Sequence, residues 1–230
     1  MRPFLLNSAL FCGALAVSAA PAYAFDAEVV SVIGKGETRD TARDAWRQAA
    51  VRQQLNPGAF VRTGDLSQMA LLLQDQTQLR LNQNSMMQIK SVSSSGAPTR
   101  LELTQGRVWT QAKRKVYSPP TAPQPAVTVW TPSAVAAIRG TDWELTVDKG
   151  GAATLTVLSG EVEFYNDLGR VSVKPNEQAR AEPGKAPVKV LLTNARERVQ
   201  WVTAYRPQPR RWLPQPSADL KPAVDAIEAG

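Results

Sequence analysis

The residues of this chain best spaced for chemistry are carboxylates. Asp142, Glu144 and Asp148 fall along one alternating run, and Glu161 and Glu163 along the next. Side chains two apart share a strand face. These groups could therefore converge as the acid and base of a glycosidase or as oxygen ligands for calcium. The same residues alternate with Trp143, Leu145 and Val147, and with Val162 and Phe164. Strict alternation is what a half-buried strand requires, so the carboxylates read better as a solvated face. Composition excludes most other chemistry. The chain has no histidine, and Cys12 is its one cysteine. That removes a Ser-His-Asp triad and a zinc site of the usual ligands. No Ser-x-x-Lys motif occurs. Gly150-Gly151 sits between two alternating runs and reads as a hairpin turn, not a phosphate loop. The expectation is a protein that is not an enzyme and that needs neither cofactor nor metal.

Binding is the remaining class. Arg139-Gly140-Thr141 is the sharpest local motif. Gly140 offers a positive φ or a close backbone approach, Thr141 can bond neighbouring backbone, and Arg139 can tie a turn or hold an anion. A glycine at a strand start usually marks a bulge or corner, which favours the structural role. Trp109, Trp130 and Trp143 read as core residues, with a platform for sugar rings or a partner as the alternative. Trp201, Tyr205 and Trp212, interleaved with Arg206, Arg210 and Arg211, read as a partner contact.

These residues must be carried by strands. Glu28–Ile33 opens the pattern. Phe60–Thr63 with Gly64, Ser67–Leu73, Gln78–Leu81, Met86–Ile89, Arg100–Thr104 and Arg107–Gln111 are short runs alternating apolar with polar. Gly, Asn or Asp in the gaps supplies the unusual dihedrals of turns. Thr38–Leu55 is ambiguous, since TARDAWRQAAVRQQL also fits an amphipathic helix. Pro119, Pro120, Pro123 and Pro125 make 116–125 an extended loop flanked by Lys113, Arg114 and Lys115. Beyond Ala181, Val188–Leu192 reads as a last strand and Asn194–Tyr205 as a short helix capped by Asn194.

Two segments echo each other. Asp75-x-x-x-Leu79-x-Leu81-x-x-Asn84 aligns with Asp167-x-x-x-Val171-x-Val173-x-x-Asn176. Leu101-x-Leu103-x-x-Gly106-x-Val108 aligns with Leu155-x-Val157-x-x-Gly160-x-Val162. The copies come in different orders, so the chain reuses a strand–turn–strand unit without a clean tandem repeat. Such units bury apolar residues on one side and need neighbours to cover them. The expected fold is all-β: a compact β-solenoid or two-layered domain of short stacked strands with a short helical, proline-rich tail.

The N-terminus bounds the compartment. Arg2, the apolar run Leu5–Val17 and Ala22-Tyr23-Ala24 form the three parts of a cleavable secretory signal. Phe11 precedes Cys12 where a lipoprotein anchor would need a small residue, so Cys12 leaves with the signal. The expected organisation is a signal peptide over 1–24, a β domain over 25–192 and a helical, basic tail over 193–230. The expected location is the periplasm, with no later stretch apolar enough to cross a bilayer. The net charge of +7 suits solubility or an anionic partner. Export makes nucleic acid an unsuitable partner and leaves an envelope protein or an anionic glycan.

The stretch from Ala126 to Gln178 resembles the FecR domain. The matching pieces are Thr131-Pro132, the small residues Ala134–Ala137, Ile138, Arg139-Gly140-Thr141, the strand Trp143–Val147, and Val157-Leu158-Ser159-Gly160-Glu161-Val162. Trp46 and Asn56-Pro57-Gly58 fill the family's Trp-containing strand and turn, so the resemblance favours strand over helix for 38–55. Val199-Gln200-Trp201 resembles the segment that follows the domain in exported members. The resemblance implies a periplasmic module for binding and signalling, built as a compact β architecture. Classical members place a cytoplasmic domain and a membrane helix before it. A cleavable signal here departs from that plan and puts direct sigma-factor contact in doubt.

Overall fold

The computed structural model describes residues 26–92, 98–111, 127–138, 141–191, 197 and 200–203. The proposed signal, the whole of the 116–125 loop and the tail beyond Thr203 therefore lie outside the described residues. In chain order the first strands are β1 (Ala27–Ile33), β2 (Gly36–Arg39), β3 (Arg47–Gln48), β4 (Gln54–Leu55) and β5 (Phe60–Thr63). They are followed by β6 (Gln68–Leu73), β7 (Gln78–Leu81), β8 (Met86–Ser91) and the long β9 (Thr99–Gln111). The second half holds β10 (Val127–Trp130), β11 (Val135–Ile138), β12 (Asp142–Val147), β13 (Ala153–Ser159), β14 (Val162–Asn166), β15 (Gly169–Val173), β16 (Glu177–Ala181) and β17 (Val188–Leu191). One helical turn, α1 (Gln200–Thr203), closes the described chain. The ambiguous 38–55 segment is thus strand and turn, with its pairings only two residues long at β3 and β4.

The strands form two sheets that meet in β9. The first sheet runs β17, β16, β13, β12, the second half of β9, β7, β6 and β1. The second runs β15, β14, β11, β10, the first half of β9, β8, β5, β2 and β3. Every pairing is antiparallel except β9 with β10. Among the described residues there is neither a closed barrel nor a solenoid repeat. The domain is all-β, of short mixed strands.

Alternation along each strand sends one set of side chains inward. Leu71, Leu79, Leu81, Leu145, Leu155 and Trp143 from the first sheet meet Met87, Ile89, Leu101, Ile138 and Phe164 from the second in one core. Strand β9 serves both, with Leu101 and Leu103 at one end and Val108 at the other.

The chain crosses from sheet to sheet at corners, and the corners carry the echo seen in the sequence. Gly106, with φ of +93°, marks the point where β9 leaves β8 for β7. Gly160, with φ of +79°, joins β13 of the first sheet to β14 of the second. A Cβ on Gly106 would overlap Ser85, and one on Gly160 would overlap Thr141. Both sites therefore combine a left-handed backbone with no room for a side chain. Asn84 (φ 53°) and Asn176 (φ 65°) turn the equivalent corners after β7 and β15. Asparagine tolerates that region better than most residues. The repeated unit is a hairpin laid on one sheet, followed by a corner into the other.

Candidate functional site

The carboxylates do not converge. Glu144 lies on β12 of the first sheet, whereas Glu163 lies on β14 of the second and points to solvent. Glu163 pairs with Arg170 at 3.1 Å, and Glu161 accepts from the Ser172 hydroxyl. Asp148 closes the β12–β13 hairpin. Its carboxylate accepts the N–H groups of Gly150 (2.9 Å) and Ala152 (3.0 Å) and meets Arg180 at 3.3 Å. The Ala152 N–H, with help from Arg180 and Gly150, holds the Asp148 carboxyl below its ordinary value. Gly151 (φ 80°) completes this turn, as expected of a hairpin glycine pair. Among the described residues no three His, Cys, Asp or Glu side chains group to hold a metal.

Glu144 departs from the expected solvated face. It is 4 % exposed, although it points away from the core. What covers it is α1. The Trp201 indole N–H donates to Glu144 Oε2 at 2.7 Å, and Arg107 Nε lies 3.8 Å from Oε1. One residue on, the Val202 carbonyl accepts from Arg80 Nη1 at 2.8 Å. The Arg80 guanidinium also lies 5.4 Å from the Trp109 ring centre, within cation–π range.

Strand register explains how these groups meet. Arg80 stands opposite Trp109, Trp109 opposite Glu144, and Glu144 opposite Thr156. They form one cross-strand row on the outer face of the first sheet, continued by Gln178, whose amide donates to Thr156 Oγ1 at 3.1 Å. Beneath α1 the middle of the row is dry, with Trp109 8 % and Thr156 2 % exposed, and Val202 of α1 itself is 6 % exposed. A carboxylate in such a place is costly unless hydrogen-bonded and paired, and here it is both.

The other singled-out residues are placed as follows. Arg139 and Gly140 lie outside the described residues. Thr141 is buried between β11 and β12, and among the described residues no hydrogen-bond partner reaches its Oγ1. Gly64 sits between β5 and β6 with its N–H on the Lys35 carbonyl at 2.9 Å. Of the six residues read as a partner contact, Trp201 is described and is half-buried against the sheet. Tyr205, Arg206, Arg210, Arg211 and Trp212 lie outside the described residues. Trp143 is fully buried in the core, whereas Trp109 is buried on the outer face under α1. Trp130 is 37 % exposed, with Arg100 at 6.0 Å from its ring centre.

One cluster gave no signal in the sequence. Arg39 lies 4.5 Å from the ring centres of both Trp46 and Phe60, and Arg62 lies 4.2 Å from that of Trp46. Arg39 and Phe60 are cross-strand partners on the outer face of the second sheet. The two guanidiniums pin Trp46, and with it the turn over 40–46, to β2 and β5.

Comparisons with known proteins agree with this picture. Residues 59–163 match the family model described as FecR protein. No curated protein matches the chain. Two crystal structures of a candidate anti-sigma factor from Parabacteroides distasonis ATCC 8503, at 2.50 Å and 1.65 Å, share the fold with a TM-score of 0.52. Each is 18% identical over 62% of this chain. The alignment spans 63% and 64% of those chains, just under two thirds of their length. The FecR match covers 59–163, and the carboxylates singled out in the sequence lie dispersed over two sheets.

Proposed function

We propose that this FecR-domain-containing chain is an exported, non-catalytic module that binds a protein partner in the bacterial envelope as part of a sensing or signalling path. The observation that carries the reading is the FecR match over 59–163, which spans β5 to β14 and both halves of the hairpin-and-corner architecture. The likeness to the anti-sigma-factor candidate supports the fold and leaves the partner open. A cleaved signal over 1–24, a β domain over 25–192 and a tail over 193–230 complete the proposal. Among the described residues no helix is long and apolar enough to cross a membrane. Crosslinking in periplasm followed by pull-down of the tagged chain tests the reading. Recovery of one envelope protein in stoichiometric yield is expected, and recovery of the chain alone counts against it.

An anionic glycan is the second reading. The net charge of +7 supports it. Trp46 is a poor sugar platform, since Arg39 and Arg62 already lie against its ring. Retention on purified cell wall at low salt and release at high salt is the expected behaviour. No retention at low salt removes this reading.

A further inference from the structure

The outer face of the first sheet holds a turn of the chain through Glu144 and Arg80. Glu144 offers a carboxylate, buried to 4 %, that an indole N–H satisfies at 2.7 Å. Trp109 supplies the apolar floor between Glu144 and Arg80. Arg80 takes the carbonyl of the following residue at 2.8 Å. An indole and the next backbone carbonyl are thus read by two side chains on either side of one tryptophan. None of this needs the occupant to be covalently continuous with the sheet. Arg80, Trp109 and Glu144 stand on β7, β9 and β12, so the three side chains of the row come from the sheet, and the turn they hold lies 57 and 122 residues further along the chain.

We propose that the Arg80–Trp109–Glu144 row is a docking site for a tryptophan-bearing peptide segment, filled in cis by Gln200–Thr203. The occupant in trans is a partner segment of the same chemistry: an indole followed by an open backbone carbonyl. The inference rests on the reading of the domain as a partner-binding module, and it names the surface and the kind of chain that surface takes. The cis segment competes at the effective concentration of a tethered ligand, on the order of millimolar. A partner segment must therefore bind more tightly than the chain's own turn, or arrive when that turn has been pulled away.

The experiment uses the full chain and a fluorescein-labelled peptide with the sequence of residues 197–205, ERVQWVTAY. Fluorescence anisotropy follows its binding to the unaltered chain and to Trp201→Ala. The variant vacates the site and should bind the peptide at least about tenfold more tightly than the unaltered chain does. Adding Glu144→Gln to Trp201→Ala should weaken that binding about tenfold, and the peptide with alanine for its tryptophan should not bind. Equal affinity for the two chains, or no saturable binding to a folded Trp201→Ala chain, overturns the proposal. Circular dichroism reports folding. If Trp201→Ala is unfolded, Trp201→Phe replaces it, since it keeps a ring and loses the N–H donor. A gain of about threefold is then expected, and no gain overturns the proposal. The result is separate from the periplasmic pull-down, which can fail while the peptide binds, or succeed through another surface while it does not.

Discussion

Thr141 stands where a side chain on Gly160 would have to go. The threonine methyl packs onto the bare Cα of a glycine whose φ is +79°, so the corner between β13 and β14 is closed by the residue just before β12. Thr141 belongs to the Arg139-Gly140-Thr141 motif and Gly160 to the strand pattern that follows it. The two halves of the motif are therefore spatially adjacent, and their contact is one of shape.

Gly160→Ala should destabilise the domain by about 2 kcal/mol or more, from a left-handed alanine and overlap with Thr141. Gly106→Ala should cost at least as much, because there the added methyl meets the backbone of Ser85 as well as its side chain. Urea denaturation of each variant against the unaltered chain measures this. A loss below about 0.5 kcal/mol at both positions, the range of ordinary surface substitutions, would show that the corners relax freely.

Thr110 and Trp143 face each other across β9 and β12. Both are fully buried, and among the described residues neither the Thr110 hydroxyl nor the Trp143 indole N–H has a hydrogen-bond partner. Thr110→Val keeps the shape and removes one such group. It should stabilise the chain by about 1 kcal/mol, read as a higher urea midpoint with an unchanged slope.

Glu144 and Trp201 should couple. A hydrogen bond to a charged group contributes roughly 1.5–3 kcal/mol. In a double-mutant cycle of Glu144→Gln and Trp201→Phe, a coupling of about 1 kcal/mol or more is expected in chemical unfolding. Additive losses would mean that the two side chains lie together without interacting.

Trp46→Ala removes the ring between Arg39 and Arg62. The expected loss is about 1–2 kcal/mol, together with faster tryptic cleavage after the exposed Arg43 in the turn that the ring pins. Limited proteolysis resolved by mass spectrometry gives the site. Unchanged cleavage at Arg43 would place the anchor of that turn elsewhere, for instance in the hydrogen bond of Thr41 with Asp44.

Stability should bend with pH in two opposite senses. Burial pushes the Asp26 carboxyl above its ordinary value of 3.8, against the Val92 N–H that lowers it. In the folded state Asp26 holds its proton to higher pH than in the unfolded chain. Its contribution therefore weakens as pH rises from about 4 through the folded value. Glu37, held down by Arg62, and Glu177, held down by Lys189, act the other way: their stabilisation is present above the ordinary glutamate value and is lost as pH falls. Asp26→Asn keeps an acceptor for Val92 and removes the first effect. Denaturant midpoints of this variant should rise more steeply than those of the unaltered chain as pH increases above about 4. Parallel curves would remove Asp26 from the account.

Local signals made the strands and corners legible in the sequence. Period-two alternation gave Gln78–Leu81 as it stands in β7, and Glu28–Ile33 within one residue of β1. The echo of Asn84 in Asn176 and of Gly106 in Gly160 marked four corners, because left-handed backbone restricts residue type strongly. The fusion of Arg100–Thr104 with Arg107–Gln111 into β9 was not legible, since Gly106 reads equally as a turn between strands. Nor was the burial of Glu144. Its alternation with Trp143 and Leu145 is that of a solvated face, and the covering turn arrives 57 residues later. The stack of Arg39, Trp46, Phe60 and Arg62 was hidden for the same reason, since its partners are brought together by the pairing of β2 with β5.

Strand β9 has a mechanical consequence. It is the seam of the molecule, hydrogen-bonded to β8 and β10 at one end and to β7 and β12 at the other. Neither sheet can peel away while β9 stays in place, and β9 cannot leave without opening both. A pull applied across the domain would load the pairings of both sheets through this one strand.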